Sequence, residues 1–170
     1  MIADKIAEWL EAKEITHAFG IIGAGNVQIW DAIARRGKTA IVCCHHEQAA
    51  IIAAGFYFRT NGRLAAGLVT TGAGQANAIT GVISNFMDST PVLVLSGNEP
   101  SKYMGASTRV LGVQGFDVTK MIAPYTKFAA RPRNWHGTYM ALEEAYKQAL
   151  APRQGPVWVD VSRDIATQNV

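Results

Sequence analysis

The sequence predicts an α/β protein, a three-layer α/β/α sandwich with a mostly parallel six-stranded sheet. Short apolar runs alternate with helix-length segments, and this alternation is typical of β-α-β units. Runs such as residues 92–95 are apolar at every position, as expected of strands buried on both faces. With 170 residues, 49% of them hydrophobic and 17% charged, the chain has enough apolar material for a single domain spanning residues 1–170.

The elements follow in order from the N-terminus. Ile2, Ile6, Trp9 and Leu10 recur at the spacing of one helical face, so the chain opens with an amphipathic helix. Six apolar runs are predicted to be strands: residues 17–21, 39–43, 64–69, 91–95, 125–129 and 156–161. Four further segments are predicted to be helices: residues 27–35, 47–59, 75–87 and 135–150.

Composition and charge exclude several classes of function. The net charge is +3, and the Lys and Arg residues are scattered along the chain. The longest basic cluster, residues 131–133, is too short to form the dense basic surface that binds nucleic acid. The longest nearly apolar stretch, residues 49–58, is about half of what a bilayer-spanning helix needs. Cys43 and Cys44 are adjacent, which suits neither a metal site nor an ordinary disulfide. We expect both to be buried and reduced, in a cytoplasmic protein without nucleic-acid or membrane partners.

Two glycine turns mark the edge of the sheet where a ligand is expected. Residues 23–25 follow the first predicted strand and residues 70–74 follow the third. Ligands of open α/β sheets bind at the carboxyl ends of the strands. Residues 97–117 lack clear periodicity and are longer than an ordinary connection, so they too are candidates for the site. Either turn alone could merely provide backbone conformations that suit glycine.

The first turn also permits a dinucleotide-binding interpretation. It follows a strand, opens a helix and has an acidic residue, Glu47, about twenty positions further on. However, Gln28 replaces the third glycine of that fingerprint, and Glu47 falls at the start of a predicted helix. An NAD(P)-binding domain is therefore the less favoured alternative.

Six motifs in register resemble the N-terminal, pyrimidine-binding domain of thiamine-diphosphate enzymes, in the acetolactate synthase and 2-oxo acid decarboxylase branch. The first is the turn after the first strand, followed by His-Glu-Gln and the Ala-rich helix after it. The segments that carry the resemblance are residues 19–25, 46–59, 70–77, 88–97, 114–127 and 155–160. They cover almost the whole chain, and the resemblance implies the thiamine-diphosphate-binding fold.

The resemblance also implies roles for individual residues. Glu47 matches the catalytic glutamate that hydrogen-bonds a ring nitrogen of the cofactor's aminopyrimidine, and the apolar residues 49–54 after it fit a carboxylate held away from water. The residues expected to bind the cofactor are Gly23, Ala24, Gly25, Glu47, Thr71, Gly72, Gly74 and Asn77. Glycine lets a flat ring approach the backbone, and the Asn77 amide is expected to tie its turn together. Gln114 and His46 are expected on the substrate side.

The cofactor's charged end lacks a binding motif in this sequence. Family members hold Mg²⁺ and the diphosphate on a Gly-Asp-Gly segment, which does not occur here. We therefore expect no metal ligands in this chain, and thiamine diphosphate with Mg²⁺ held by a diphosphate-binding subunit in an α2β2 split enzyme. Met1 leads directly into the first helix, which favours a natural subunit over a truncated synthase fragment. A non-catalytic homologue is another alternative.

The expected substrate is a 2-oxo acid, either decarboxylated or ligated to a second carbonyl. The family's Gln-Glu pair is Gln114-Gly115 here, and Ala73 stands where proline is usual. These departures leave the particular acid and the choice between the two reactions open.

Overall fold

The sheet of the computed structural model, which describes residues 1–103 and 108–170, contains six strands in the order β2-β1-β3-β4-β6-β5. The strands are β1 (His17–Gly20), β2 (Ala40–Cys43), β3 (Ala66–Val69), β4 (Leu93–Asn98), β5 (Phe128–Ala130) and β6 (Val157–Ser162). Every neighbouring pair is parallel. The predicted fold class is therefore confirmed, with a sheet that is wholly parallel in the described part of the chain.

Helices cover both faces of this sheet. They are α1 (Ile2–Ala12), α2 (Val27–Arg36), α3 (Glu47–Asn61), α4 (Ala73–Met87), α5 (Val118–Ile122), α6 (Trp135–Leu150) and α7 (Arg163–Ala166). Short 3₁₀ turns occur at Ser101–Tyr103 and Ala123–Tyr125. None of the helices in the described residues combines the length and apolar composition that a membrane-spanning helix requires.

Two separate apolar clusters fill the space between the layers. Helices α1, α2 and α6 pack on one face of the sheet, against side chains that include Leu68 and Val159. Helices α3, α4 and α5 pack on the other face, against Val69 and Trp158. Neighbouring residues of one strand thus enter opposite clusters, as the strand period of two requires. This accounts for strands that are apolar at every position.

Glycines and a side-chain cap define several helix ends. Helices α2 and α3 end at Gly37 and Gly62, whose φ angles of 66° and 67° are left-handed and close each helix without a Cβ penalty. Helix α6 begins after Asn134, whose Oδ1 accepts a hydrogen bond from the Gly137 N–H at 2.8 Å. Its bounds agree with the prediction at both ends.

The bounds of β4 and β5 differ most from the predictions. Strand β4 continues to Asn98 because its polar residues pair with β6 in a buried environment, which an apolar pattern cannot reveal. Strand β5 begins only at Phe128, since Tyr125 lies in a 3₁₀ turn next to the short, unpredicted helix α5. In the loop predicted over residues 97–117, residues 104–107 lie outside the described part.

The expected burial of the two cysteines is wrong. Cys43 is exposed and Cys44 half-buried, and both are free thiols. The reason is that β2 is an edge strand whose residues are mostly exposed, although they are largely apolar. Apolar composition alone therefore did not indicate burial here.

Candidate functional site

The first glycine turn packs directly on the second at the carboxyl edge of the sheet. A Cβ on Gly23 would lie 2.5 Å from Thr70 Oγ1, and one on Gly25 would collide with the Thr71 side chain. The Gly25 N–H donates to Thr70 Oγ1 at 3.2 Å. Neither glycine has a positive φ. Both are needed so that the two turns can approach each other, rather than for an unusual backbone conformation.

Asn26 closes this first turn, and the sequence analysis missed it. Its Oδ1 accepts a hydrogen bond from the Gly23 N–H at 2.8 Å, and its Nδ2 donates to the Ile21 carbonyl at 3.1 Å. The side chain is almost fully buried. An asparagine directly after Gly-Ala-Gly was the available signal, because asparagine commonly bonds to nearby backbone in turns.

The second turn does require a special backbone conformation. Gly72 has a φ of 71° and precedes helix α4. Its N–H donates to Gln75 Oε1 at 3.3 Å, and the Gln75 side chain is fully buried. Gln75 therefore ties this turn, a role that the sequence analysis gave to Asn77.

Glu47 is the first residue of α3 and only 8% exposed. Its Oε2 accepts a hydrogen bond from Asn77 Nδ2 at 3.1 Å, so Asn77 orients the carboxylate instead of tying its turn. In the described part of the chain, Oε1 accepts no hydrogen bond. A Cβ on Gly74 would lie 3.1 Å from this oxygen and 2.9 Å from Thr70 Cγ2. The glycine thus leaves Oε1 uncovered beside the second turn.

His46 caps the helix that Glu47 begins. Its Nδ1 accepts a hydrogen bond from the Gln48 N–H at 3.2 Å. The imidazole lies at one end of an apolar surface groove on α3 of about 550 Å³. The groove is lined by His46, Gln48, Ala49, Ile52, Ala53 and Phe56. In the structure, His46 thus caps helix α3 and lines this groove.

Gln114, from the loop after β4, also contacts the second turn. Its Nε2 is 3.4 Å from the Thr71 carbonyl oxygen, and a Cβ on Gly72 would lie 2.6 Å from the Gln114 carbonyl oxygen. A small cleft of about 20 Å³ lies here, lined by Ala24, Gly25, Thr71, Asn98, Glu99, Gln114 and Arg163. A cavity of this size holds about one water molecule. Four of the predicted site residues thus meet in the cleft, whereas Glu47, Gly74 and Asn77 contact one another beside it.

A buried polar network lies behind both turns. Asp160 on β6 has no exposed surface, and its Oδ2 accepts a hydrogen bond from Arg131 Nε at 2.6 Å. Burial raises the pKa of the Asp160 carboxyl, and the guanidinium of Arg131 counteracts that increase. Nothing in the sequence analysis predicted this network, because its members are far apart along the chain.

Among residues 1–103 and 108–170, no group of three or more His, Cys, Asp or Glu side chains could hold a metal ion.

A parallel α/β sheet with two interlocked glycine turns and a buried carboxylate at its carboxyl edge is typical of proteins that bind a cofactor at this edge. Residues 1–121 match the family model described as "Thiamine pyrophosphate enzyme, N-terminal TPP binding domain". The chain belongs to this family, and the resemblance found in the sequence motifs is confirmed.

Curated relatives of this chain include acetolactate synthases. The chain is 30% identical to the acetolactate synthase large subunit of Haemophilus influenzae over 167 residues, which are 98% of this chain and 28% of that protein. It is 32% identical to the isozyme 3 large subunit of Escherichia coli over 96% of this chain and 28% of that protein. For the chloroplastic enzyme of Arabidopsis thaliana the identity is 28%, over 98% and 24% of the two chains. The chain therefore spans about 28% of the length of most of these relatives.

Proposed function

We propose that this chain is the pyrimidine-binding part of a thiamine-diphosphate-dependent enzyme that acts on a 2-oxo acid, and that Glu47 activates the cofactor. The observation on which this rests is the Glu47 carboxylate, which is buried at the start of α3 with one oxygen held by Asn77 and the other uncovered. A carboxylate in this setting can form a strong, charge-assisted hydrogen bond to a ring nitrogen that shares its proton.

The residues around Glu47 fit an aminopyrimidine. Gly74 leaves Oε1 accessible, and the backbone of both glycine turns lies at the same edge. Asn77 donates to Oε2 and so keeps the carboxylate directed along the second turn. Gly23, Ala24, Gly25, Thr71 and Gly72 would line the ring. When bound, thiamine diphosphate supplies a nucleophilic carbon for attack on the carbonyl of a 2-oxo acid, and the pyrimidine assists removal of the proton from that carbon.

The substrate side is proposed to lie at the small cleft. Gln114 presents a side-chain amide there, 3.4 Å from the Thr71 carbonyl, and this amide could donate to a carbonyl or carboxylate oxygen of a 2-oxo acid. The particular acid, and the choice between decarboxylation and ligation to a second carbonyl, are left open by this geometry.

A second polypeptide or domain is needed to complete the site. The cleft is too small to enclose a pyrimidine ring, and the described residues offer no metal cluster for the diphosphate end. The groove on α3 begins at His46, next to Glu47, and its Phe56 side chain is 58% exposed. We propose that a diphosphate-binding partner carrying Mg²⁺ covers this groove, in an α2β2 complex if the partner is a separate chain. A longer synthase chain with the same domains is the alternative.

A non-catalytic homologue is less well supported. Withdrawing most of a carboxylate from water is costly, and a purely structural protein gains nothing from holding Glu47 with one oxygen bound by Asn77 and the other open at this edge. Glu47 would therefore be an unexpected residue in a scaffold.

The test is the exchange of the C2 proton of thiamine diphosphate with deuterium, followed by NMR. The chain is assembled with the diphosphate-binding partner that co-purifies with it from its host. We expect Glu47→Gln to slow exchange by at least about 100-fold, because general acid-base assistance contributes 10²–10⁴-fold. Glu14→Gln, an exposed change before β1 at the opposite edge of the sheet, serves as the control. Undiminished exchange in Glu47→Gln would remove Glu47 from the mechanism.

A further inference from the structure

The fully buried Asp160 carboxylate joins two segments of the proposed site. Its Oδ1 accepts hydrogen bonds from Ser96 Oγ at 2.5 Å and Gln75 Nε2 at 2.8 Å. Its Oδ2 accepts hydrogen bonds from Arg131 Nε at 2.6 Å and Asn98 Nδ2 at 2.7 Å. Four side chains from three segments of the sequence thus converge on one carboxylate in the C-terminal half of β6.

One branch of this network reaches the second glycine turn. Gln75, whose Nε2 binds Asp160, also accepts the Gly72 N–H at 3.3 Å through Oε1. The same Nε2 donates to the Gly97 carbonyl at 3.3 Å, and this carbonyl also accepts Thr71 Oγ1 at 3.3 Å. The position of the turn therefore depends on the Gln75 side chain, which Asp160 holds.

The other branch reaches the loop that contains Gln114. Asn98 Nδ2 and Arg131 Nη2 both donate to the Phe116 carbonyl, at 3.1 Å and 2.8 Å. The backbones of Leu111 and Gly115 exchange two hydrogen bonds of 2.8 Å, which close a turn around Gln114. Asp160 therefore holds the C-terminal end of this loop through two different side chains.

Fold stability alone does not explain this arrangement. A buried ion pair costs desolvation, and well-packed apolar residues often replace one without loss of stability. A fully satisfied polar network, in contrast, fixes the relative positions of the segments that it joins. We propose that Asp160 is a positioning residue, which sets the distance between the second glycine turn and Gln114. The functional part of this inference rests on the proposed function, because it assumes that those segments face the cofactor and the substrate.

The test is amide hydrogen exchange of the 170-residue chain, read at Gly72 and Gly115. We expect Asp160→Asn to accelerate hydrogen exchange at both amides by about tenfold more than the change in global stability explains, because the substitution removes charge-assisted hydrogen bonds. Val159→Ala is the matched control. It lies next to Asp160 on β6 but faces the opposite apolar cluster, so it destabilises the fold without touching the network.

Two milder variants separate the branches and cover the case in which Asp160→Asn does not fold. Gln75→Leu removes the hydrogen bonds from Gln75 to Gly72, Gly97 and Asp160 but leaves those of Arg131 and Asn98 in place, so it should accelerate exchange at Gly72 alone. Arg131→Lys keeps the positive charge but loses the bond from Nη2 to the Phe116 carbonyl, so it should accelerate Gly115 alone. Val159→Ala is expected to accelerate exchange at both amides equally, through global unfolding. If Gln75→Leu or Arg131→Lys does the same, the positioning role is wrong.

The functional consequence is measured on the assembled enzyme. Asp160→Asn should slow C2 proton exchange, whereas Val159→Ala should not, when both are compared well below their unfolding temperatures. Equal exchange in the two variants would overturn the functional part of the inference. If the wild-type complex shows no C2 exchange at all, the proposed function fails, and the amide measurements still decide whether Asp160 positions the two segments.

Discussion

The two helical layers of this protein differ sharply on their outer surfaces. Helix α1 carries four charged residues, and ion pairs connect it to its neighbours, such as Arg36 to Glu11 at 2.7 Å and Lys13 to Glu143 at 2.9 Å. Helix α4, on the other side of the sheet, has no charged residue in 15 positions. Its last residue, Met87, is nevertheless 71% exposed. The charged layer is therefore suited to water, whereas α4 in the other layer presents an uncharged surface.

This difference supports the proposal that a partner binds on the side of the sheet that carries α3 and α4. Exposed ion pairs contribute only about 0.2–1 kcal/mol each, so the charges on α1 and α2 serve solubility more than stability. An exposed apolar surface on a soluble domain commonly marks an interaction site. The groove on α3 begins at His46, next to Glu47, so the uncharged helix α4 and the proposed site lie on the same side of the sheet.

Among changes to the two helical layers, we expect the largest loss of stability from a substitution that separates α3 from α4. A Cβ on Gly81 would lie 2.8 Å from Ile51 Cβ and 3.0 Å from the Gln48 carbonyl oxygen, so the two helices meet at this glycine. We expect Gly81→Val to lower the free energy of unfolding by about 3 kcal/mol, because overpacking forces the backbone apart. Urea denaturation measures this change. Thr80→Val, an exposed neighbour on α4, is the control, and equal losses in both variants would show that the helices do not depend on this contact.

A smaller effect is expected in the charged layer at acid pH. The hydrogen bond from Lys13 is the main reason why the pKa of Glu143 lies below its usual value, and the indole N–H of Trp9 contributes to it. A lowered pKa stabilises the fold at pH values above the pKa of the unfolded chain, about 4.3. That stabilisation is lost as the pH falls through the pKa of the folded protein.

The corresponding measurement is thermal unfolding between pH 7 and pH 3, followed through tryptophan fluorescence. We expect Glu143→Gln to cost up to about 1 kcal/mol at pH 7, and progressively less as the pH falls through the pKa of the folded carboxyl. Glu144→Gln, whose Lys147 partner is 3.9 Å away, should change little across this pH range. A loss that does not diminish toward pH 3 would mean that packing, not charge, makes Glu143 important.

Much of the fold could be predicted from the sequence, because apolar runs and helical periodicity report directly on burial. Helix α6 was predicted with its observed bounds for this reason. Strand β4 was predicted to end too early, because Ser96 and Asn98 are polar. Both are buried with their hydrogen bonds to Asp160 satisfied, and an apolar pattern does not record this. Helices α5 and α7, with five and four residues, are too short to show a period.

The site was predictable where neighbouring residues form a motif. Each glycine turn and the motif that contains Glu47 is a continuous segment of the sequence, so its place at the start of a helix could be inferred. The network around Asp160 joins Gln75, Arg131 and Asp160 across as many as 85 residues, and no local pattern records such a contact. The role of Asn77 was misjudged for the same reason, since its partner Glu47 is 30 positions away.

The central claim is that this chain provides the activating carboxylate and needs another polypeptide or domain for the diphosphate end. Calorimetric titration of the 170-residue chain with thiamine diphosphate and Mg²⁺ tests it most directly, first alone and then in the presence of the co-purified partner. We predict no saturable binding to the chain alone and stoichiometric binding to the complex. Tight, saturable binding to the chain by itself would contradict the claim, because it would require a diphosphate site within these residues.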